Sequence, residues 1–290
     1  MRKDITKKFL MREDRYASKM LSKDVFFFIF RKKINIDAKQ VGYDEIEFRN
    51  MFSTKSTDLN TNNLFSLKYN MIYCCSGKSN SAFLLGETEV TQELYKLVMG
   101  YNPSFHPMDE KTNANLRPVE NVTWYDAIMF CNKLSLLMRK IPYYDIKNIR
   151  HDYYIRQNIR DASVKINEGA NGFRLPLSKE WEYAAKAGTN NRWSGTNNES
   201  ELEEYAWFDK NSNHDTHPVA TKKPNEWGFY DMSGNVEEWC GDKYNNNSNE
   251  YVICGGDHLS DPFNLLSNNQ SKNSPNKYNG LIGFRVAASL

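Results

Sequence analysis

The sequence predicts an α+β fold in which irregular loops make up a large fraction of the chain. Three segments combine a helical spacing of apolar residues with capping residues at their ends. Most of the remaining chain consists of short segments separated by turns rich in Gly, Asn and Asp. Hydrophobic residues make up 40% of the 290 residues and aromatic residues 13%, so a substantial core is expected.

The first helix is expected to begin after Thr91, whose hydroxyl can accept a hydrogen bond from the first turn. Leu94, Leu97 and Val98 repeat at helical spacing, and Gly100 is suited to the helix end. The pattern therefore predicts a short amphipathic helix.

The second helix is longer and is expected to begin after Thr123, with Asp126 in its first turn. Its apolar face is formed by Trp124, Ala127, Ile128, Cys131, Leu134 and Met138.

The third helix is predicted at about 178–187, ending at Gly188. Leu177 occupies the position of its cap and has no side-chain acceptor, so Ser178 is expected to take that role. Between the second and third helices, residues 143–171 are polar and are interpreted as a surface loop.

The charge distribution argues against nucleic acid as a partner. The net charge is only +2. Residues 1–60 carry 14 basic and 9 acidic side chains, and the remaining chain carries 24 and 27. Because the basic residues are interleaved with acids, a solvated surface is expected there. The early apolar run 25–30 is too short to span a membrane.

Five cysteines do not suggest a disulfide framework in a chain of this length. Cys74 and Cys75 are adjacent, and Cys131 falls on an apolar helix face. Reduced cysteines and the absence of a recognisable signal peptide favour the cytoplasm. Export would follow if the true start of the chain lies elsewhere.

The segment 224–239, PNEWGFYDMSGNVEEW, combines turn-forming residues with aromatic and acidic ones. Asn225 and Gly228 suit turns, and Gly234 suits a backbone with positive φ. Asp231 and Glu238 place carboxylates on either side of this turn, an arrangement that a hard cation such as Ca²⁺ prefers.

This segment resembles the signature of the formylglycine-generating, or sulfatase-modifying factor, family. Further segments resemble family motifs in the same order: ETEVTQ at 87–92, RPVENVTW at 117–124, GFRLP at 172–176, EWEYAA at 180–185 and GFRV at 283–286. The resemblance implies a C-type-lectin-like domain over residues 81–290, preceded by a divergent leader segment at 1–80.

The resemblance also indicates that the oxidase centre is missing. Family members that oxidise a substrate cysteine bind copper through two cysteines, the second of them sixteen residues before the final Gly-Phe-Arg motif and the first five residues earlier. Pro262 and Ser267 occupy these positions, and neither side chain is a good Cu(I) ligand. No copper is therefore expected. Cys254 lies nearby, but one cysteine cannot supply a site with two thiolates.

The resemblance further implies a calcium site at Asp231, Gly234, Val236 and Glu238. The two carboxylates would be joined there by backbone carbonyls, a ligand mixture that calcium tolerates. The alternative interpretation is that Asp231 and Glu238 only accept hydrogen bonds from backbone N–H groups.

The amide-rich segment 264–279 corresponds to the substrate groove of active relatives and to the variable surface of proteins diversified by retroelements. It is the candidate binding surface for a protein, peptide or glycan, although an ordinary polar loop would have a similar composition. The expected exposed contact residues are Asn268, Asn269, Lys272, Asn273, Lys277 and Tyr278. The sequence thus favours a non-catalytic binding protein. A formylglycine-generating oxidoreductase and a decayed paralogue remain alternatives.

Overall fold

The computed structural model describes residues 70–74, 82–106, 116–152 and 158–289. Most of the expected leader segment, and Cys75, lie outside these residues. The described residues form an α+β fold with long irregular connections, as predicted. The helices are α1 (Gln92–Met99), α2 (Trp124–Leu137) and α3 (Ser178–Lys186), with a 3₁₀ helix at Glu199–Glu204. Within these ranges, no helix has the length and apolar character needed to cross a membrane.

The strands form two four-stranded sheets and one separate hairpin. The first sheet has the order β1-β2-β10-β5, the second has the order β8-β7-β6-β9, and β3 pairs with β4. The strand bounds are β1 Met71–Cys74, β2 Phe83–Gly86, β3 Tyr144–His151, β4 Ile159–Ile166, β5 Phe173–Arg174, β6 Glu237–Lys243, β7 Tyr251–Cys254, β8 Gln270–Asn273, β9 Ile282–Gly283 and β10 Ala287–Ser289.

Strand β1 lies ahead of the predicted domain start at residue 81 and packs with the rest of the fold. β1 pairs antiparallel with β2, with Met71 opposite Gly86. Ile72 and Cys74 are buried in the same apolar cluster as Trp181. Because β1 contributes core residues, the domain extends at least to Met71.

Two of the three predicted helix starts are confirmed. Thr91 Oγ1 accepts a hydrogen bond from Leu94 N at 3.2 Å, and Gly100 ends α1 with φ 89°. Thr123 and Asp126 form a reciprocal capping box at the start of α2.

The predicted cap of α3 is wrong. Ser178 is the first helical residue, and its N–H and hydroxyl both donate to Asp242, at 2.7 and 2.6 Å. Leu177 N donates instead to Glu180 Oε2 at 2.8 Å. Two carboxylates therefore accept the N–H groups of Leu177 and Ser178 at this helix start.

The predicted surface loop at 143–171 contains the β3–β4 hairpin instead. Tyr144, Ile146 and Ile159 are buried against the main core, while the other side chains of β3 and β4 are exposed or half-buried and most of them are polar. This alternation is typical of a strand with one buried face.

The core lies between α2 and the two sheets and is fixed by long-range hydrogen bonds from tryptophans. Trp124 Nε1 donates to the Cys240 carbonyl at 2.9 Å, and Trp239 Nε1 donates to the Val122 carbonyl at 3.0 Å. These two bonds join the start of α2 to β6 and so position the turn that precedes β6.

Candidate functional site

A fully buried ion pair lies behind the 224–239 turn. Arg285 Nε donates to Glu238 Oε2 at 2.7 Å and Nη2 donates to Oε1 at 2.6 Å, with both side chains 0% exposed. Trp181 Nε1 donates to the same Oε2 at 2.9 Å. Both carboxylate oxygens of Glu238 are therefore occupied by protein donors.

Arg285 also holds loops through backbone carbonyls. It donates to the carbonyls of Gly86 and Tyr230, each at 3.1 Å. Arg174 forms a similar bidentate pair with Glu180, at 2.6 and 2.7 Å, and donates to the Leu175 carbonyl. Each planar guanidinium group presents two N–H donors that match the two oxygens of a carboxylate. A lysine could not reproduce this bidentate geometry.

Asp231 faces a second buried carboxyl, that of Glu89. Asp231 adopts a left-handed φ of 56°, and its Oδ2 accepts a hydrogen bond from Ala220 N at 2.8 Å. Its Oδ1 and both Glu89 oxygens are buried and receive no hydrogen bond from the described residues. The two carboxyl groups are close enough for each to shift the pKa of the other.

Burial favours the protonated form of both carboxyl groups. Burial raises the pKa of Asp231 to about 6. Burial, and then the charges of Asp231 and Glu238, raise the pKa of Glu89 well above its usual range. Two acids this close share a proton more readily than they ionise together.

The calcium site at Asp231, Gly234, Val236 and Glu238 stays a prediction, and the surroundings of Glu238 bear on it. Both Glu238 oxygens accept hydrogen bonds from Arg285 or Trp181, and these donors compete with any cation beside Asp231. Gly234 is in the expected left-handed conformation with φ 82°, and its N–H donates to the Gly255 carbonyl. Across the described ranges, no group of three or more His, Cys, Asp or Glu side chains could hold a metal ion.

The positions expected for copper ligands both lie against residues 192–193. The Pro262 carbonyl accepts from Trp193 Nε1 at 2.7 Å, and Ser267 N donates to the Arg192 carbonyl at 2.8 Å. Ser267 is 2% exposed, and its hydroxyl has no hydrogen-bond partner among the described residues.

Cys254 is not alone, which the sequence analysis missed. Its Sγ lies 3.7 Å from Cys240 Sγ on the neighbouring strand β6, and both thiols are buried. Burial, the neighbouring thiol and nearby carboxylates raise the pKa of Cys240 well above its usual range. Because copper is bound by thiolates, this environment disfavours the ligand form.

The segment expected to bind a ligand is only partly a loop. Strand β8 occupies its centre, with Lys272 opposite Val252 and Asn273 opposite Tyr251 on β7. Asn268, Lys272 and Lys277 are exposed, whereas Asn269, Asn273 and Tyr278 are half-buried. The six residues are therefore spread over a turn, an edge strand and the chain after it.

An open groove lies beside this segment, between the β3–β4 hairpin and the start of β7. It has a volume of about 820 Å³. From the 264–279 segment it is lined by Ser274, Pro275 and Asn276, and by none of the six expected contact residues. The other lining residues are Tyr125, Arg150, His151, Arg160, Asp161, Ala162, Val164, Lys243, Asn249 and Tyr251.

Aromatic packing fixes one wall of the groove. The Tyr251 ring stacks on Trp124 with 3.9 Å between the ring centroids. Tyr125 contacts the hairpin by hydrogen bonds to Asp161 and to the backbone of Ala162. A period-two pattern through Tyr144 and Ile146 was the sequence signal that could have located this hairpin, and with it the groove.

The groove residues combine aromatic rings, amides and cations, which suits recognition rather than bond breaking. The described lining residues include no cysteine and no pair of acids. Such a surface can bind an extended ligand through hydrogen bonds and ring contacts.

Comparison with known proteins places the chain in a family. The profile of the sulfatase-modifying factor enzyme 1-like domain matches residues 75–290. Among solved structures, Treponema denticola variable protein 1 is similar with a TM-score of 0.67 and 34% identity, over 77% of this chain and 96% of that one.

Among curated proteins, the chaperone protein LppX of Paenibacillus barcinonensis is 43% identical over 181 residues, which are 55% of this chain and 62% of LppX. The inactive Cα-formylglycine-generating enzyme 2 of Bos taurus is 27% identical over 139 residues, which are 40% of this chain and 44% of the bovine protein. The matched region thus spans less than two thirds of either relative. The profile match and the structural similarity together show that this chain belongs to the sulfatase-modifying factor family and has its C-type-lectin-like fold.

Proposed function

We propose that this protein is a non-catalytic member of its family that binds a polypeptide segment in the groove beside β4. The observation that carries the proposal is the groove itself, which is open, about 820 Å³ in volume and lined mainly by residues of strands β3, β4, β6 and β7. The similarity to a protein named as a chaperone supports a polypeptide rather than a glycan as the ligand.

The strand arrangement also favours an extended peptide. In the described sheets, β4 pairs only with β3, and β8 is the last strand of its sheet. Residues of β4 and the chain that follows β8 both line the groove. An edge strand can hydrogen-bond an added strand through its backbone, which binds peptides without requiring one particular sequence.

The absence of formylglycine chemistry is the second part of the proposal. Pro262 and Ser267 supply no thiol, and the Cys240–Cys254 pair is buried in an environment that disfavours thiolates. The similarity to a relative named as inactive is compatible with this proposal. We expect the copper-loaded protein to leave a Cys-x-Pro-x-Arg peptide unmodified, as measured by mass spectrometry. Copper-dependent loss of the substrate cysteine would support the oxidoreductase alternative.

A peptide array tests the binding site directly. Asn249→Ala and Asn276→Ala remove side chains that line the groove, so both should weaken peptide binding. Asn246→Ala is the matched control, because Asn246 is exposed in the same turn as Asn249 but does not line the groove. If Asn268→Ala weakens binding and the groove variants do not, the ligand binds to the predicted segment instead.

We also propose a cytoplasmic location, supported by free thiols at Cys74, Cys131, Cys240 and Cys254. Labelling of these thiols in intact and lysed cells, after denaturation, checks it. Oxidised thiols in freshly isolated protein would argue for export.

A further inference from the structure

We infer that the groove selects an acidic polypeptide segment with an apolar end, an inference that rests on the proposed function. The argument begins with the charges on the groove wall. Arg150, Arg160 and Lys243 line it together with His151, whereas the only carboxylate among its lining residues is that of Asp161. The charges on this wall are therefore mostly positive.

The single acid is already neutralised within the hairpin. Asp161 pairs with Arg150 and receives a hydrogen bond from Tyr125. These donors lower its pKa, so it remains a charged partner for Arg150. Among the ion pairs of the described residues, none includes Arg160 or Lys243.

These two cations differ from Lys272, the lysine on edge strand β8. Lys272 contacts Glu250 at 2.8 Å, so its charge is balanced locally. Arg160 and Lys243 are exposed and have no such acid among the described residues, which leaves them available to carboxylates of a ligand. Complementary charge raises the association rate and excludes ligands of the wrong sign.

Beyond the groove the lining becomes more apolar, although Lys165 and Arg174 also belong to it. A second cavity of about 170 Å³ shares Val164, Lys243 and Tyr251 with the groove and continues toward Ile166 and Leu177. Ile166 is 64% exposed and Leu177 is 44% exposed. Along β4, the surface thus changes from Arg160 to Ile166, so a bound strand would place acids at one end and apolar residues at the other.

Fluorescence anisotropy with three labelled peptides tests this selectivity. Each peptide ends in the same apolar residues, and the preceding part alternates threonine with glutamate, glutamine or lysine. We expect the glutamate peptide to bind at least about tenfold more tightly than the glutamine peptide, and the lysine peptide to bind most weakly. Added salt should reduce the preference for glutamate.

Charge reversal locates the effect. Arg160→Glu and Lys243→Glu should each remove most of the preference for the glutamate peptide, with less effect on the glutamine peptide. Lys96→Glu is the matched control, because Lys96 is exposed on α1 and lines neither cavity. Leu177→Ser should weaken the binding of all three peptides by a similar factor.

Two results would overturn the inference in different ways. If all three peptides bind equally tightly and Asn249→Ala weakens each of them, the groove binds peptides but does not select acids. If none of the three binds, the proposed function fails together with the inference.

Discussion

The turn at 224–239 and the segment at 262–279 both contain positions that correspond to characteristic residues of the family. The fold constrains the two regions to very different degrees. In the turn, Glu238 is fully buried and accepts three hydrogen bonds from charged or aromatic donors. In the segment, Ser267 is buried without a partner for its hydroxyl among the described residues, and several neighbours are exposed. The residues of the turn are therefore required by folding, whereas those of the segment can change with function.

The largest effect is expected from breaking the buried ion pair. Arg285→Met leaves the Glu238 carboxylate buried without its cation and should lower the free energy of unfolding by about 3–5 kcal/mol. Urea denaturation measures this change. The double variant Arg285→Met with Glu238→Leu should recover part of the loss, because no uncompensated charge remains. A loss below about 1 kcal/mol in the single variant would mean that the pair does not hold the turn.

A smaller effect, dependent on pH, is expected from the Glu89–Asp231 pair. The folded-state pKa of Asp231 is raised to about 6. An unfolded aspartate titrates near about 4. Between these values the folded protein binds more protons, so its stability should fall as the pH rises through this window.

Asp231→Asn tests this pH dependence because it keeps an acceptor for Ala220 N and removes the charge. As the pH rises from about 4 to about 8, the free energy of unfolding of this variant should increase by about 1–3 kcal/mol relative to that of wild type. Denaturation at both pH values measures this change. Asp209→Asn is the matched control at an exposed position. It should leave the difference in the free energy of unfolding between the two pH values the same as in wild type. The shared proton would be contradicted if the free energy of unfolding of wild type rises with pH over this range and that of Asp231→Asn rises with the same slope.

Calcium distinguishes the shared proton from the metal site that the sequence predicts. Because Glu238 is held by Arg285, we expect the melting temperature to be the same in calcium and in chelator. A bound cation would instead stabilise the fold by about 2.7 kcal/mol at one hundred times its dissociation constant. A stabilisation of this kind that Asp231→Asn removes would restore the predicted site.

The smallest effects are expected in the 262–279 segment. Asn268→Ala and Lys277→Ala replace exposed side chains and should change the free energy of unfolding by less than about 0.5 kcal/mol. Tyr278→Ala should cost more because Tyr278 is half-buried. If all three unfold the domain, the segment is constrained as strongly as the turn, and the contrast between the two regions disappears.

Local signals in the sequence predicted local structure well. Thr91 and Thr123 cap their helices as expected, because a cap depends on residues three positions away. The left-handed position Gly234 also agrees, with φ of 82°.

Features that depend on distant partners could not be predicted in the same way. The acceptor at the start of α3 is Asp242, 64 positions along the chain from Ser178. The acid held by Arg285 is Glu238, 47 positions away. The groove was missed because its hairpin carries mostly polar residues between a few inward-facing ones.

The placement of β9 and β10 has a consequence for how the domain is made. β10 lies between β2 and β5 in the first sheet, and β9 pairs with β6 in the second. Arg285, between these strands, ties both sheets to the turn. A nascent chain that has not yet extended past Ile282 therefore lacks an inner strand of one sheet and an outer strand of the other. Completion of both sheets must wait until residues 282–289 have been made, and contacts this distant in sequence form slowly. During that interval, the apolar faces of both sheets are open to chaperones and to proteases.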